Sequence, residues 1–319
     1  MHDIHNDFEI ENILEENRKR HEIINAPYNP VTGLGAVGER KKISIKDSPI
    51  GDMYLPVELI KENLFIRRLA KYGFKGYIIR FIKEVEYSEE ALNQLWIEFI
   101  KYRIIYDFEY WAYSFIFIKD KVSPKDIPFK LNRAQRRVLN KLEKLRKAGK
   151  PIKFILLKAR QWGGSTLVQI YMLWIMLVHR RNWNTVICGD VETQSRNVRA
   201  MITKALNKYP SYLLGETVKF TPFEGSSKNK VIQNTNCVVS IGSFQKPDTL
   251  RSGDISGAHL TEIGLWRATP GKKPEDLIQS ISGSIYDTAY TILGLESTAK
   301  GVGNFFHRTW QQAVKGKNN

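Results

Sequence analysis

The stretch that most constrains this chain is FILLKARQWGGSTLVQIYMLWIMLV, residues 154–178. Its first four residues are an apolar run too short for a helix and suited to a strand covered on both faces. After Ser165 the apolar run is long enough for a buried helix. Between them lies a polar loop with adjacent glycines, Gly163 and Gly164. A strand that feeds a helix through such a loop is a parallel α/β unit, because parallel strands need crossovers and helices are the usual ones. The alternation continues beyond Pro128. It predicts strands at 154–157, 185–188, 237–241, 257–260 and 290–295, and helices at 133–147, 165–179, 192–208 and 305–314. The expected fold class is α/β, with a central, mostly parallel sheet flanked by helices.

Before this region the pattern differs. Residues 5–25 are charged and helical, and 26–55 carry enough Pro, Gly and Asp to form an extended arm. Residues 56–113 have helical apolar spacing, with Ser88 as an N-cap and Arg67, Arg68, Lys71, Lys75 and Arg80 as a basic face. The expected division is an N-terminal helix and arm (1–55), a helical subdomain (56–125) and the α/β core (126–319). Gly33, Gly35 and Gly38 match G-x-G-x-x-G, but no strand precedes them and Pro30 argues for irregular chain, so no dinucleotide site is expected there.

The loop KARQWGGSTL, residues 158–167, nearly spells the phosphate-binding pattern G-x-x-x-x-G-K-[ST]. In that pattern, backbone N–H groups and the helix N-terminus hold phosphates, the lysine reaches the β and γ phosphates, and the hydroxyl binds Mg²⁺. Aligned from its end, Gly163 is the second glycine and Ser165 the hydroxyl, with Thr166 beside it. Lys158 then stands at the first glycine and Gly164 at the lysine. The cation is displaced, and both Lys158 and Arg160 are near enough in sequence to replace it. By itself the segment fits a working nucleotide site with unusual parts, a degenerate one, or a tight turn.

Charge narrows the partner. The chain has 49 Lys+Arg against 33 Asp+Glu, a formal charge of +16, which suits a polyanion and nucleic acid first. Its two cysteines, Cys188 and Cys237, lie in strand-like segments without metal-ligand spacing and read as buried thiols. The start of the chain has no apolar signal region, and LVQIYMLWIMLV is shorter than the roughly 18–20 residues of a membrane span, so no membrane partner is expected.

Taken with other segments, KARQWGGSTL resembles the deviant Walker A loops of the large terminase subunits of tailed bacteriophages, the ATP-driven motors that pump viral DNA into procapsids. Arg160, Gln161 and the variable Gly164 carry that likeness. FKLNRAQRRVL, residues 129–139, resembles the family's adenine-recognition segment, with Gln135 as the base-pairing amide. RSGDISGAHLTEIGLW, residues 251–266, resembles its Walker B region, in which Glu262 would polarise the attacking water. The preceding aspartate is replaced by Thr261, which leaves Mg²⁺ to Ser165, phosphate oxygens and waters, with Thr261 and Glu262 acting through water. Arg251 falls where the family has an arginine finger reaching a neighbouring subunit, and Arg160 competes for that role from within the subunit. YTILGLESTAKGVGN, from residue 290, resembles the coupling motif, with Glu296, Ser297 and Thr298 as its residues, of which Ser297 and Thr298 would sense the γ phosphate.

The resemblance implies a P-loop NTPase of the ASCE type with a helical N-terminal addition. Its cofactors would be ATP and Mg²⁺. Its partners would be double-stranded DNA, a portal protein and a small terminase subunit, in a homo-oligomeric ring on the procapsid within the host cytoplasm. The family's nuclease domain is not expected in this chain. A helicase-like remodeller, and a DNA-binding module that binds ATP without hydrolysing it, are the rival readings.

Overall fold

The structure is a computed structural model and describes residues 4–82, 87–120, 122–246, 250 and 254–316. In chain order the elements are α1 (Ile4–Asn25), β1 (Arg40–Ser44), β2 (Asp52–Pro56), α2 (Val57–Glu62), α3 (Leu64–Phe81), α4 (Glu89–Tyr106), α5 (Phe108–Phe115), β3 (Phe117–Lys119), β4 (Asp126–Pro128) and α6 (Arg133–Lys147). There follow β5 (Ile152–Lys158), α7 (Gly164–Trp174) with a π-helical extension Ile175–His179, β6 (Thr185–Gly189), α8 (Glu192–Asn207), α9 (Ser211–Leu214), β7 (Phe220–Phe223) and β8 (Ser226–Ile232). The last are β9 (Cys237–Ser243), β10 (Gly257–Leu260), α10 (Pro274–Gly283), β11 (Ile292–Thr298) and α11 (Phe305–Val314).

Among the described residues, the central sheet has seven strands in the order β5-β11-β10-β6-β9-β8-β7. The first five are mutually parallel, and β8 and β7 continue the edge antiparallel. All five expected strands are present. β7 and β8 were not anticipated, because FTPF and SSKNKVI are polar or interrupted by proline and lack a buried apolar run. β11 runs three residues beyond its expected end, to Thr298. That extension matters for the site.

Burial explains the strand composition. Every residue of β6 and of β10 is buried, as expected for strands covered on both faces. On one face α7 packs against the sheet, with Leu167, Tyr171 and Trp174 fully buried among Ile152, Ile187 and Val239. On the other, Leu277 and Ile281 of α10 and Phe306 of α11 pack with Ala258 and Leu260.

The N-terminal third needs correction. Residues 40–56 are a β-hairpin, β1 with β2, and not simply an extended arm. Its Met53 and Leu55 share a core with Leu59, Ile66, Leu69 and Phe99 of the helical region. The helical region expected at 56–113 comprises, among the described residues, α2, α3, α4 and α5. Asn63 and Asp107 interrupt it by capping α3 and α5 through bonds from the Ile66 and Tyr110 backbones. Ser88 caps α4, as expected. Gly33 and Gly35 hold left-handed turns so tight that a Cβ would lie 2.2 Å from Tyr54 O and 2.1 Å from Pro27 O, which is a structural use of that glycine pattern. Cys188 and Cys237 are buried and free. Among the described residues, no helix is long and apolar enough to cross a membrane.

Candidate functional site

The site forms at the C-terminal ends of β5, β11 and β10, three adjacent strands. β5 delivers Lys158 at its last position. The loop then turns through Gln161 (φ 62) and Gly163 (φ 81) into α7. The N-cap of α7 is Gly163, which supplies no side-chain bond, so the first-turn N–H groups are not capped by it. This is the geometry in which a helix N-terminus receives an anion.

The loop is braced from α6. Asn132 and Gln135 form a capping box, Asn132 Nδ2 donates to Trp162 O at 2.8 Å, and Gln135 Nε2 donates to Gly163 O at 2.9 Å. Gln135 Oε1 accepts from the Asn132 N–H at 2.8 Å, so both ends of this buried amide are engaged. Gln135 therefore positions the loop, and reading an adenine edge would require exchanging these bonds. Asn132 was not singled out in the sequence, although its place three residues before Gln135 is the signature of such a box.

Glu262 follows β10 and takes a left-handed backbone (φ 57), a strained conformation for a non-glycine residue of the kind that clusters at functional sites. Lys158 Nζ lies 3.0 Å from Glu262 Oε1, 3.3 Å from Ser165 Oγ and 3.5 Å from Glu296 Oε1. The ammonium thus sits among the hydroxyl and both carboxylates. Thr298 Oγ1 donates to Glu262 Oε2 at 3.2 Å. Ser297 Oγ accepts from the Gly264 N–H at 2.9 Å, tying β11 to the turn after Glu262.

Glu296 lies at the centre and is completely buried. Its Oε1 accepts from Ser165 Oγ, and from Thr261 Oγ1 at 2.6 Å. Burial alone would push this carboxyl up. His259, when protonated, together with Lys158 and the Ser165 hydroxyl, outweighs burial and holds it at about 2. His259 Nε2 is 3.5 Å from Glu296 Oε1, and its Nδ1 is 3.5 Å from Gln169 Nε2. Sequence reading did not single out His259. Its signal was a titratable residue inside an otherwise apolar strand.

The remaining expected site residues are placed differently. Arg160 and Gln161 are exposed on the loop, and Gly164 begins α7 buried beneath the Trp162 ring. Thr166 lines a cavity of about 270 Å³ with Ser165, Thr261 and Glu262, faced by Gln194 and Asn197 of α8. Arg251 lies outside the described residues.

No group of three or more His, Cys, Asp or Glu able to hold a metal occurs among the described residues. Magnesium on a nucleotide asks for less: one or two carboxylates, a hydroxyl, phosphates and waters. Ser165 Oγ and the buried, unbonded Glu296 Oε2 fit that donor set.

The sheet order is informative in itself. One strand, β11, separates β5 from β10, the strand leading to Glu262, the arrangement of ASCE-type P-loop folds that the resemblance implies. Among solved structures, the large terminase of bacteriophage HK97 shares this fold, with a TM-score of 0.53 and 21% identity over 68% of this chain and 42% of that one. The chain thus spans less than half the length of that protein. The large terminase of a thermophilic bacteriophage in complex with ADP (TM-score 0.40, 13% identity, 59% of this chain and 44% of that one) and the large terminase ATPase domain of Thermus phage P74-26 (0.34, 13%, 52% and 66%) are more distant. No family model and no curated protein matches the sequence.

Proposed function

We propose that this chain is an ATP-hydrolysing motor domain that drives double-stranded DNA into a viral procapsid, as part of a large terminase subunit. The observation that carries the reading is the convergence of Lys158, Ser165, Glu262 and Thr298 from three strand ends and one helix start around one point. A phosphate chain lying on the α7 N-terminus would meet the Lys158 ammonium, so Lys158 takes the part of the missing loop lysine. Glu262 accepts a hydrogen bond from the attacking water. The water oxygen bonds to the γ phosphorus, the bond to the bridging oxygen of ADP breaks, and the proton leaves by way of Glu262. Magnesium, when bound with ATP, neutralises charge on the phosphate oxygens.

Arg160 stands exposed on the loop, suited to the charge that develops on the transferred group, and Arg251 from a neighbouring subunit is the second candidate. Ser297 and Thr298 hold Glu262 and its turn, so loss of the γ phosphate is felt on β11 directly. Assembly as a ring with a portal protein and a small terminase subunit belongs to the same reading. Gly164 and Thr261, standing where a lysine and an aspartate are usual, favour a second one: a module that binds ATP and DNA without hydrolysis.

Phosphate release from Mg·ATP, measured with and without duplexes of unrelated sequence, separates the two. The motor reading expects release that rises with every duplex, and a rise that fades with salt as phosphate contacts are screened. Lys158→Ala should lose binding and turnover together, while Arg160→Ala should lose turnover more than affinity. Release that no duplex stimulates would support the second reading.

A further inference from the structure

β10 ends where a metal-organising aspartate is usual in such sites, but position 261 is threonine. The adjacent strand carries a carboxylate at the same level. Leu260 pairs with Leu295, which places Thr261 beside Glu296. The Thr261 hydroxyl does not point to solvent; it donates to Glu296 Oε1 at 2.6 Å. Ser165, the hydroxyl of the phosphate loop, donates to that same oxygen. The other carboxylate oxygen, Oε2, is buried without a hydrogen-bond partner, which is costly for an anion unless a further partner is met.

The surroundings already accept positive charge, since Lys158 Nζ sits 3.3 Å from Ser165 Oγ and 3.5 Å from Glu296 Oε1. Strands lie about 4.8 Å apart, and glutamate reaches one methylene further than aspartate, so a carboxylate moved sideways by one strand can still serve the same hydroxyl. We propose that Glu296 supplies, from β11, the magnesium-organising carboxylate that position 261 lacks, with Ser165 as its hydroxyl partner and Thr261 as the residue that orients it. This deepens the ATP reading and rests on it.

The test is the affinity of a fluorescent, non-hydrolysable ATP analogue in EDTA and in excess Mg²⁺, with folding checked by circular dichroism. The parent should bind in EDTA and more tightly with magnesium. In Glu296→Gln the magnesium enhancement, the ratio of the affinities in the two buffers, should fall by about 10- to 100-fold, the scale on which changes around a metal site act. If Glu296→Gln keeps the parent's enhancement, this assignment is overturned while the ATP reading stands. If the parent binds no analogue in either buffer, the ATP reading itself fails, and the assignment falls with it. Should Glu296→Gln not fold, the exchange of Thr261→Asp with Glu296→Thr decides. A folded exchange variant with magnesium enhancement restored supports the assignment, and a folded one without it refutes it.

Discussion

Gly164 occupies the position at which a phosphate-binding loop usually has lysine, and its neighbour explains why no side chain is there. A Cβ at 164 would lie 2.7 Å from Cζ2 of Trp162, whose ring covers the start of α7. The ammonium that does lie at this point is that of Lys158, at the end of the strand, and under the proposed function it takes the part of the loop lysine. Restoring the usual pattern should do harm: Gly164→Lys must displace the Trp162 ring, and overpacking of this kind costs about 1–3 kcal/mol, readable by denaturant unfolding. The same substitution combined with Trp162→Ala should recover most of that loss. Equal stability of Gly164→Lys and the parent would show that the ring is not what excludes a side chain. The missing loop lysine was legible in the sequence, but where Lys158 and Arg160 point was not. Lys158 and Arg160 are two residues apart, and only the direction of the strand shows that the first turns inward among Ser165, Glu262 and Glu296 while the second stays exposed.

At the scale of elements, strands covered on both faces announced themselves as apolar runs, and β5, β6, β9, β10 and α7 lie close to where such runs predict. What stayed hidden depends on contacts distant in sequence. IIYDFEYW reads as one continuous helix, yet Asp107 ends α4 and caps α5 because Arg40, brought from the hairpin, and Arg103 satisfy its carboxylate in the interior. Glu296 was read as part of a coupling motif, and its bonds to Ser165 and Thr261 follow from a strand order that no local pattern encodes. The π-helical end of α7 yields a pH prediction. His179 packs against Trp174 and Tyr290, and burial, then Arg146 and Arg180, push its imidazole down from 6.5 to about 3. The unfolded chain therefore takes up this proton first as pH falls below 6.5, so stability is full above that pH and declines toward 3. Between pH 6.5 and 5 the loss from this one group should approach about 2 kcal/mol. Equilibrium unfolding of His179→Phe should show a correspondingly shallower acid decline than the parent. Parallel declines would mean that His179 is not held neutral.

For the whole molecule, two observations of different kinds bear on function. A formal charge of +16 suits a duplex partner, and a P-loop sheet with one inserted strand suits nucleotide hydrolysis. The inserted strand, β11, ties the site together, since its Glu296, Ser297 and Thr298 meet Ser165 at the start of α7, the turn after Glu262 and Glu262 itself. Under the proposed function ATP is split at this point with Glu262 directing the water, despite the displaced lysine and the absent aspartate. This is tested most directly by a single-turnover experiment, with protein in excess over labelled Mg·ATP, in which bound ATP and ADP formed are both counted for the parent and for Glu262→Gln. Both proteins should bind the label, and the variant should convert it about 10²- to 10⁴-fold more slowly, the span of a lost general base. Conversion at equal rates by the two proteins, or no bound ATP in either, would contradict it.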